Sequence, residues 1–279
     1  MTQSDDLRSR LEALNWARLE GKIVPAIAVP AAQAGSKAPR RLEEVAPGRS
    51  IDGPAGTCYH VSARVSLLGP KGQSLVRKYP GALASARVPP ALGDDLCRLA
   101  NSPPDSALFI DLETCGFAGN PLFLVGAMWW DRDDFHIAQL LARDYSEEKA
   151  VTHAAAQLVA ARPVLVSFNG KSFDWPMLRE RAAVNRVSMP EPQTHCDLLH
   201  LSRRVWPSLP NHRLTTLETS LCRRRRTGDI DGAAIPEAYH GFVRTGDARV
   251  IGDILRHNLW DLMTLAELVA MMLADPSGQ

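Results

Sequence analysis

Two carboxylates close an apolar run. Asp111 and Glu113 stand two apart in ALFIDLET (107–114). Strand side chains at i and i+2 point to one face, so both acids converge where the run gives way to Thr114-Cys115-Gly116. Such a pair repels itself unless a proton or a cation intervenes. A hard divalent cation with oxygen ligands removes that cost. By themselves the two read equally as solvated turn acids. A third acid, Asp174, follows the turn FNGKSF (168–173) after a second apolar run. Lying just before Trp175-Pro176, it fits the N-cap of a helix as well as a ligand, and one oxygen for each task would serve both. A fourth acid, Asp261, lies four residues after His257 in ILRHNLWDLMTLAEL (254–268). Residues at that spacing share a helix face, and Asp253 falls one turn earlier on the same face. Alone, His257 and Asp261 read as a weak surface pair.

Taken together, the four acids change the reading. Oxygen donors of this kind suit two Mg²⁺ or Mn²⁺ ions roughly 4 Å apart, which clamp a scissile phosphodiester. Hydrolysis of that bond needs charge neutralisation, because nucleophile and leaving group are both anionic. His257 is placed to orient or deprotonate the attacking water.

The elements that must position these groups follow from the hydrophobic pattern. Residues 107–112 form a short apolar run suited to a central strand covered on both faces. Runs at 122–130 and 135–141, broken at Asp131-Arg132-Asp133-Asp134, predict a hairpin. Residues 146–161 open with Ser146 and two glutamates, a helix start. Residues 164–168 give another buried strand, 174–185 and 216–222 are helical, and 248–273 is the longest helix. This order predicts an α/β domain with a mixed sheet flanked by helices over 105–275. Ahead of it, an amphipathic helix over 4–21 and a Pro/Ala/Gly-rich linker fill residues 1–50. Residues 51–104 form a small β-rich extension, with two or three short strands expected over 57–79.

Several residues are candidates for holding substrate. Asn169 and Lys171 lie in the turn before Asp174. The first equally forms an Asn-Gly turn, and the second is equally a solvated lysine. Trp175 and Trp206 are candidates for stacking on bases, with core packing as the alternative, and Trp175 is favoured by its place beside Asp174. Arg223–Arg226 form a basic run that suits phosphate contact or a solvated loop. No base-reading motif is present, so sequence-specific recognition is not expected.

Composition narrows the class. The chain has 279 residues, 45% hydrophobic and 23% charged, enough for a substantial core. Its net charge of +1 gives a weak global field, so phosphate binding would need local basic patches. Five cysteines, an odd number with none in a CxxC pair, argue against a disulfide framework or zinc ribbon. The polar start MTQSDDLRSR and the lack of a long apolar run predict a cytoplasmic protein without membrane association.

The segments FIDLETCG, SFNGKSFDWPML and HNLWDLMTLAEL resemble the three exonuclease motifs of the DEDD superfamily, nearest to the YprB-like group of ribonuclease H-like proteins. CDLLHLSRRVW, LTTLETSLCRRRRTGDIDGAAIPEAY and FVRTGD are similar to connecting segments of that group. The resemblance covers about residues 105–273 and, weakly, the β segment from about residue 51. It implies a ribonuclease H-like fold and a metal-dependent 3′→5′ exonuclease acting on a single-stranded or frayed 3′ end of DNA or RNA. Asp111 and Glu113 match the first motif, Asp174 the second and Asp261 the third, with His257 at the general-base position. One departure is visible: the superfamily's histidine type usually carries its base one residue farther from the acid, and the spacing here is that of the tyrosine type. Two other readings share the fold: a nucleic-acid-binding protein with little catalysis, and a structure-selective endonuclease.

Overall fold

In the computed structural model, which describes residues 39–274, the strands form one mixed sheet. They are β1 (Arg49–Gly53), β2 (Gly56–Arg64), β3 (Ala107–Thr114), β4 (Leu122–Asp131), β5 (Asp134–Leu141), β6 (Val164–Ser167) and β7 (Thr194–Asp197). Their order across the sheet is β1-β2-β5-β4-β3-β6-β7. Neighbours from β1 to β3 are antiparallel, and β6 and β7 run parallel to β3. The parallel joins require crossovers, and helices supply them.

The helices are α1 (Leu42–Val45), α2 (Pro70–Ser85), α3 (Asp94–Ala100), α4 (Glu148–Ala160), α5 (Asp174–Val184), α6 (Leu198–Val205), α7 (Leu214–Ser220), α8 (Ile235–Thr245) and α9 (Arg249–Ala274). They cover both faces of the sheet. On one face Leu108 and Ile110 of β3 join Val151, Leu158, Tyr239 and Ile254. On the other, Ala107 and Phe109 join Tyr79 of α2 and Leu262, Met263 and Val269 of α9. The alternation along β3 is the two-residue period of a strand buried on both faces. The mixed sheet, the hairpin, the buried strands and the long final helix all agree with the expectations from sequence.

One segment differs. Only the first part of 57–79 is strand: β2 ends at Arg64, a 3-10 turn spans Val65–Leu68, and α2 begins at Pro70. Pro70 suits the first turn of a helix, where its missing N–H costs nothing. Tyr79 and Leu75 of α2 are then buried against the α9 side of the sheet. β1 and β2 extend the main sheet through β5. The helix expected over 4–21 lies outside the described residues.

Candidate active site

Asp111 and Glu113 continue the odd-numbered side of β3, the side that packs on α9 as Ala107 and Phe109 do. Where the strand leaves the core, apolar side chains give way to acids on the same face. Gly126 of β4 lies opposite Asp111, and Gln139 of β5 lies opposite Gly126. Asn258 of α9 sits over this row. Its Nδ2 donates to the backbone carbonyl of Asp111 at 3.0 Å and to Oδ2 at 2.8 Å. Its Oδ1 accepts from Gln139 Nε2 at 2.9 Å. Gln139 also donates to the Leu255 carbonyl at 2.7 Å, which ties the row to α9. Gly126 leaves the room required, because a β-carbon there would strike the Asn258 carboxamide.

Asp174 begins α5 and does not cap it; the cap position is Phe173. Its Oδ1 instead accepts from the backbone N–H of Leu112 at 3.2 Å. The last rung between β3 and β6 pairs Phe109 with Val166. Beyond it the strands diverge and a strand N–H needs another partner. Asp174 fills that need, which ties the third acid to the residue between the first two. The preceding turn is held by Asp197 at the end of β7. Its carboxylate accepts from the N–H groups of Asn169 (2.8 Å), Lys171 (3.1 Å) and Leu199 (3.1 Å). Asn169 has φ of 60°, a left-handed conformation that asparagine tolerates. Gly170 is packed so closely that a β-carbon would strike Ser167 and lie 3.2 Å from Asp174 Oδ2.

His257 and Asp261 lie one turn apart on α9, with Nε2 3.4 Å from Oδ2. Arg226 binds the other oxygen of Asp261. The same guanidinium is held by both oxygens of Glu218 (2.8 and 2.9 Å) and by Asp229 Oδ2 (3.2 Å).

Burial raises the pKa of all four acids, and their charges act on one another. For Asp111 the next causes after burial are the charges of Asp261, Glu113 and Asp174. For Glu113 they are Asp261, Asp174 and Asp229. Asp174 is pushed up to about 7, chiefly by burial, against the hydrogen bond from Leu112. Asp261 is raised by burial and held back by Arg226 and His257. Asp111, Glu113 and Asp174 keep part of their surface open to solvent, whereas Asp261 is buried. Acids from three distant segments thus share one electrostatic site.

An all-oxygen donor set whose members repel one another fits a hard divalent cation. Among the described residues, no three His, Cys, Asp or Glu side chains close around one point as they stand. Asn258, Leu112 and Arg226 each hold one oxygen of an acid.

Other expected contacts fall differently. Trp175 is buried, and its Nε1 donates to Glu191 at 3.2 Å, so its ring is not available for stacking. The exposed rings beside the acids are Phe173, 59% exposed just before Asp174, and Phe117, 84% exposed in the loop after Glu113. Trp206 is partly buried against the core. Lys171 is exposed but pairs with Asp95 of α3 at 2.6 Å. Asp253 pairs with Arg256 at 2.7 Å and takes no part in the acid cluster. The basic run splits. Arg224 is buried against Glu218, Glu267 and Thr264, and Arg226 serves the site, leaving Arg223 and Arg225 facing solvent. Alternation explains the split, since every second arginine meets an interior acid. Cys115 is buried with its thiol pushed up to about 11 by burial, which suits a packing role.

Asn258, Gln139, Gly126, Glu218 and Asp229 escaped the sequence reading. The one local signal was the polar Asn258 next to His257 on a helix face that otherwise packs inward.

Fold and site together define a ribonuclease H-like α/β protein. Residues 108–273 match the family model described as RNase_H superfamily, and the chain belongs to that superfamily. It is similar to the "Uncharacterized protein YprB" of Bacillus subtilis (strain 168), with 32% identity over 174 residues, 60% of this chain and 42% of the relative. The chain therefore spans less than half the length of that relative. Among solved structures it is similar to the family B DNA polymerase from the archaeon Pyrobaculum calidifontis. That match has 19% identity and a TM-score of 0.49, covering 61% of this chain and 25% of the polymerase chain. No helix among the described residues is long and apolar enough to cross a membrane.

Proposed function

We propose that this chain is a 3′→5′ exonuclease of the DEDD type, removing nucleotides from a single-stranded or frayed 3′ end of DNA or RNA. The observation that carries the reading is the electrostatic reach of Asp111, Glu113, Asp174 and Asp261 on one another. Two divalent cations, Mg²⁺ or Mn²⁺, held by these four residues would supply the charge neutralisation that phosphodiester hydrolysis needs. The protein's own part is preorganisation. Asn258 holds Asp111 and the Leu112 N–H holds Asp174 before substrate arrives, which limits the rearrangement left for metal binding to bring about. His257 presents Nε2 beside Asp261 and takes the proton of the attacking water. Phe117 and Phe173 offer exposed rings on which the terminal bases stack.

One observation favours a second reading, a nucleic-acid-binding protein with little catalysis: Arg226 already neutralises Asp261. A 5′-labelled single strand separates the two. Stepwise shortening with Mg²⁺ or Mn²⁺ supports the exonuclease. Binding without cleavage supports the second reading, and internal cuts would indicate an endonuclease.

A further inference from the structure

The segment joining α7 to α8 brings to the site a carboxylate that none of the three motifs contains. Asp229 Oδ2 lies 3.0 Å from His257 Nδ1 and accepts from Arg226 Nη1 at 3.2 Å. Both the His257 and Asp229 side chains are 19% exposed. An ionised carboxylate only accepts hydrogen bonds, so the imidazole nitrogen facing it carries the hydrogen. In the neutral ring, Nε2 then holds the lone pair. That atom faces the acid cluster at 3.4 Å from Asp261 Oδ2, a distance at which it makes no hydrogen bond to that carboxylate, so the contact with Asp229 alone fixes a hydrogen on the ring. The ring is therefore gripped at its far nitrogen and aimed with its near one.

Two further observations argue against a chance surface contact. Asp229 Oδ1 is buried and makes no hydrogen bond, an arrangement that costs stability. The charge of Asp229 also falls on Glu113, adding to repulsion already present. Arg226 binds Asp229 and Asp261 together, so segment and helix are locked to each other. The imidazole turns about two side-chain bonds, and α9 alone does not fix its direction.

We infer that Asp229 is the positioning residue of His257, holding the ring in the Nδ1–H form with Nε2 turned toward the acid cluster. The kinetic consequence rests on the nuclease reading; the orientation does not. The test uses ¹⁵N-histidine-labelled, metal-free protein at alkaline pH, with ring-nitrogen shifts read by long-range ¹H–¹⁵N correlation. His257 is expected as the Nδ1–H form in the wild type. In Asp229→Ala it moves toward the Nε2–H form that free imidazole side chains favour. Asp229→Asn, which keeps a carbonyl acceptor at the same place, retains Nδ1–H. In cleavage assays Asp229→Ala lowers kcat roughly 10- to 100-fold with KM unchanged, and Asp229→Asn recovers part of the loss. An unchanged His257 form in folded Asp229→Ala, or full kcat in that variant, overturns the inference. Should the wild type not cleave at all, the nuclease reading fails, and the ring-nitrogen shifts still decide the role of Asp229.

Discussion

Asn258 binds Asp111 twice, at its carbonyl and at its carboxylate, from a helix 147 residues farther along the chain. The contact exists because Gly126 leaves space between them. Gly126→Ala forces the carboxamide away and leaves Gln139 without one acceptor. We expect a loss of about 1–3 kcal/mol in stability and weaker divalent-ion binding, read by denaturant unfolding with and without Mn²⁺. A variant as stable as the wild type would mean that the row can relax at no cost.

Arg226 binds three acids of that side of the site, Glu218, Asp229 and Asp261, and its side chain is 9% exposed. Removing one member of such a buried group leaves charges uncompensated. Arg226→Ala should cost roughly 3–5 kcal/mol, measured by chemical denaturation. A loss below about 1 kcal/mol would place the group in the class of weak surface pairs.

Asp174, pushed up to about 7, gives a pH test with a definite sign. Between the ordinary carboxyl value near 4 and about 7, the folded protein keeps a proton that the unfolded chain has released. The stabilisation is full below that window and is lost as pH rises through it. Without metal, Asp174→Asn should therefore gain stability relative to the wild type between pH 5 and pH 8, and Mn²⁺ should cancel the gain. Thermal unfolding of both proteins at the two pH values checks this; a difference that does not move with pH contradicts it.

Phe117 is the most exposed large apolar side chain among the described residues, and it stands in the loop that follows Glu113. If terminal bases stack on it, Phe117→Ala should weaken binding of a single strand by about 1–3 kcal/mol while leaving the melting temperature unchanged. Fluorescence anisotropy with a labelled oligonucleotide reads the affinity. Equal affinity of variant and wild type would remove the ring from the binding path.

Much of this architecture was legible in the chain. Apolar runs and breakers located β3 to β6 and α9, because strands covered on both faces and a helix buried along its length leave strong patterns. The acids that end β3, head α5 and line α9 are visible as candidates in the same way, since each stands at an interruption of such a pattern. What stayed hidden depends on distance along the chain. Nothing local to Asn258 says that it meets Asp111, or that Gly126 is small for that reason. Asp174 looked like a cap because cap and ligand share a residue type, and only the divergence of β3 and β6 gives its carboxylate another task. The arginine run read as one feature, yet its alternate members face opposite environments. Trp175 was favoured for its neighbourhood, while the fold turns it inward and leaves Phe173 outside.

The central claim is that Asp111, Glu113, Asp174 and Asp261 hold divalent cations together. The direct measurement is Mn²⁺ binding to metal-free protein, followed by electron paramagnetic resonance, for the wild type and for Asp111→Asn and Asp261→Asn with their folding verified by circular dichroism. Saturable Mn²⁺ binding by the wild type, weakened sharply in both variants although one acid lies on β3 and the other on α9, is the predicted result. Equal Mn²⁺ affinity in all three proteins, or none in the wild type, would contradict it.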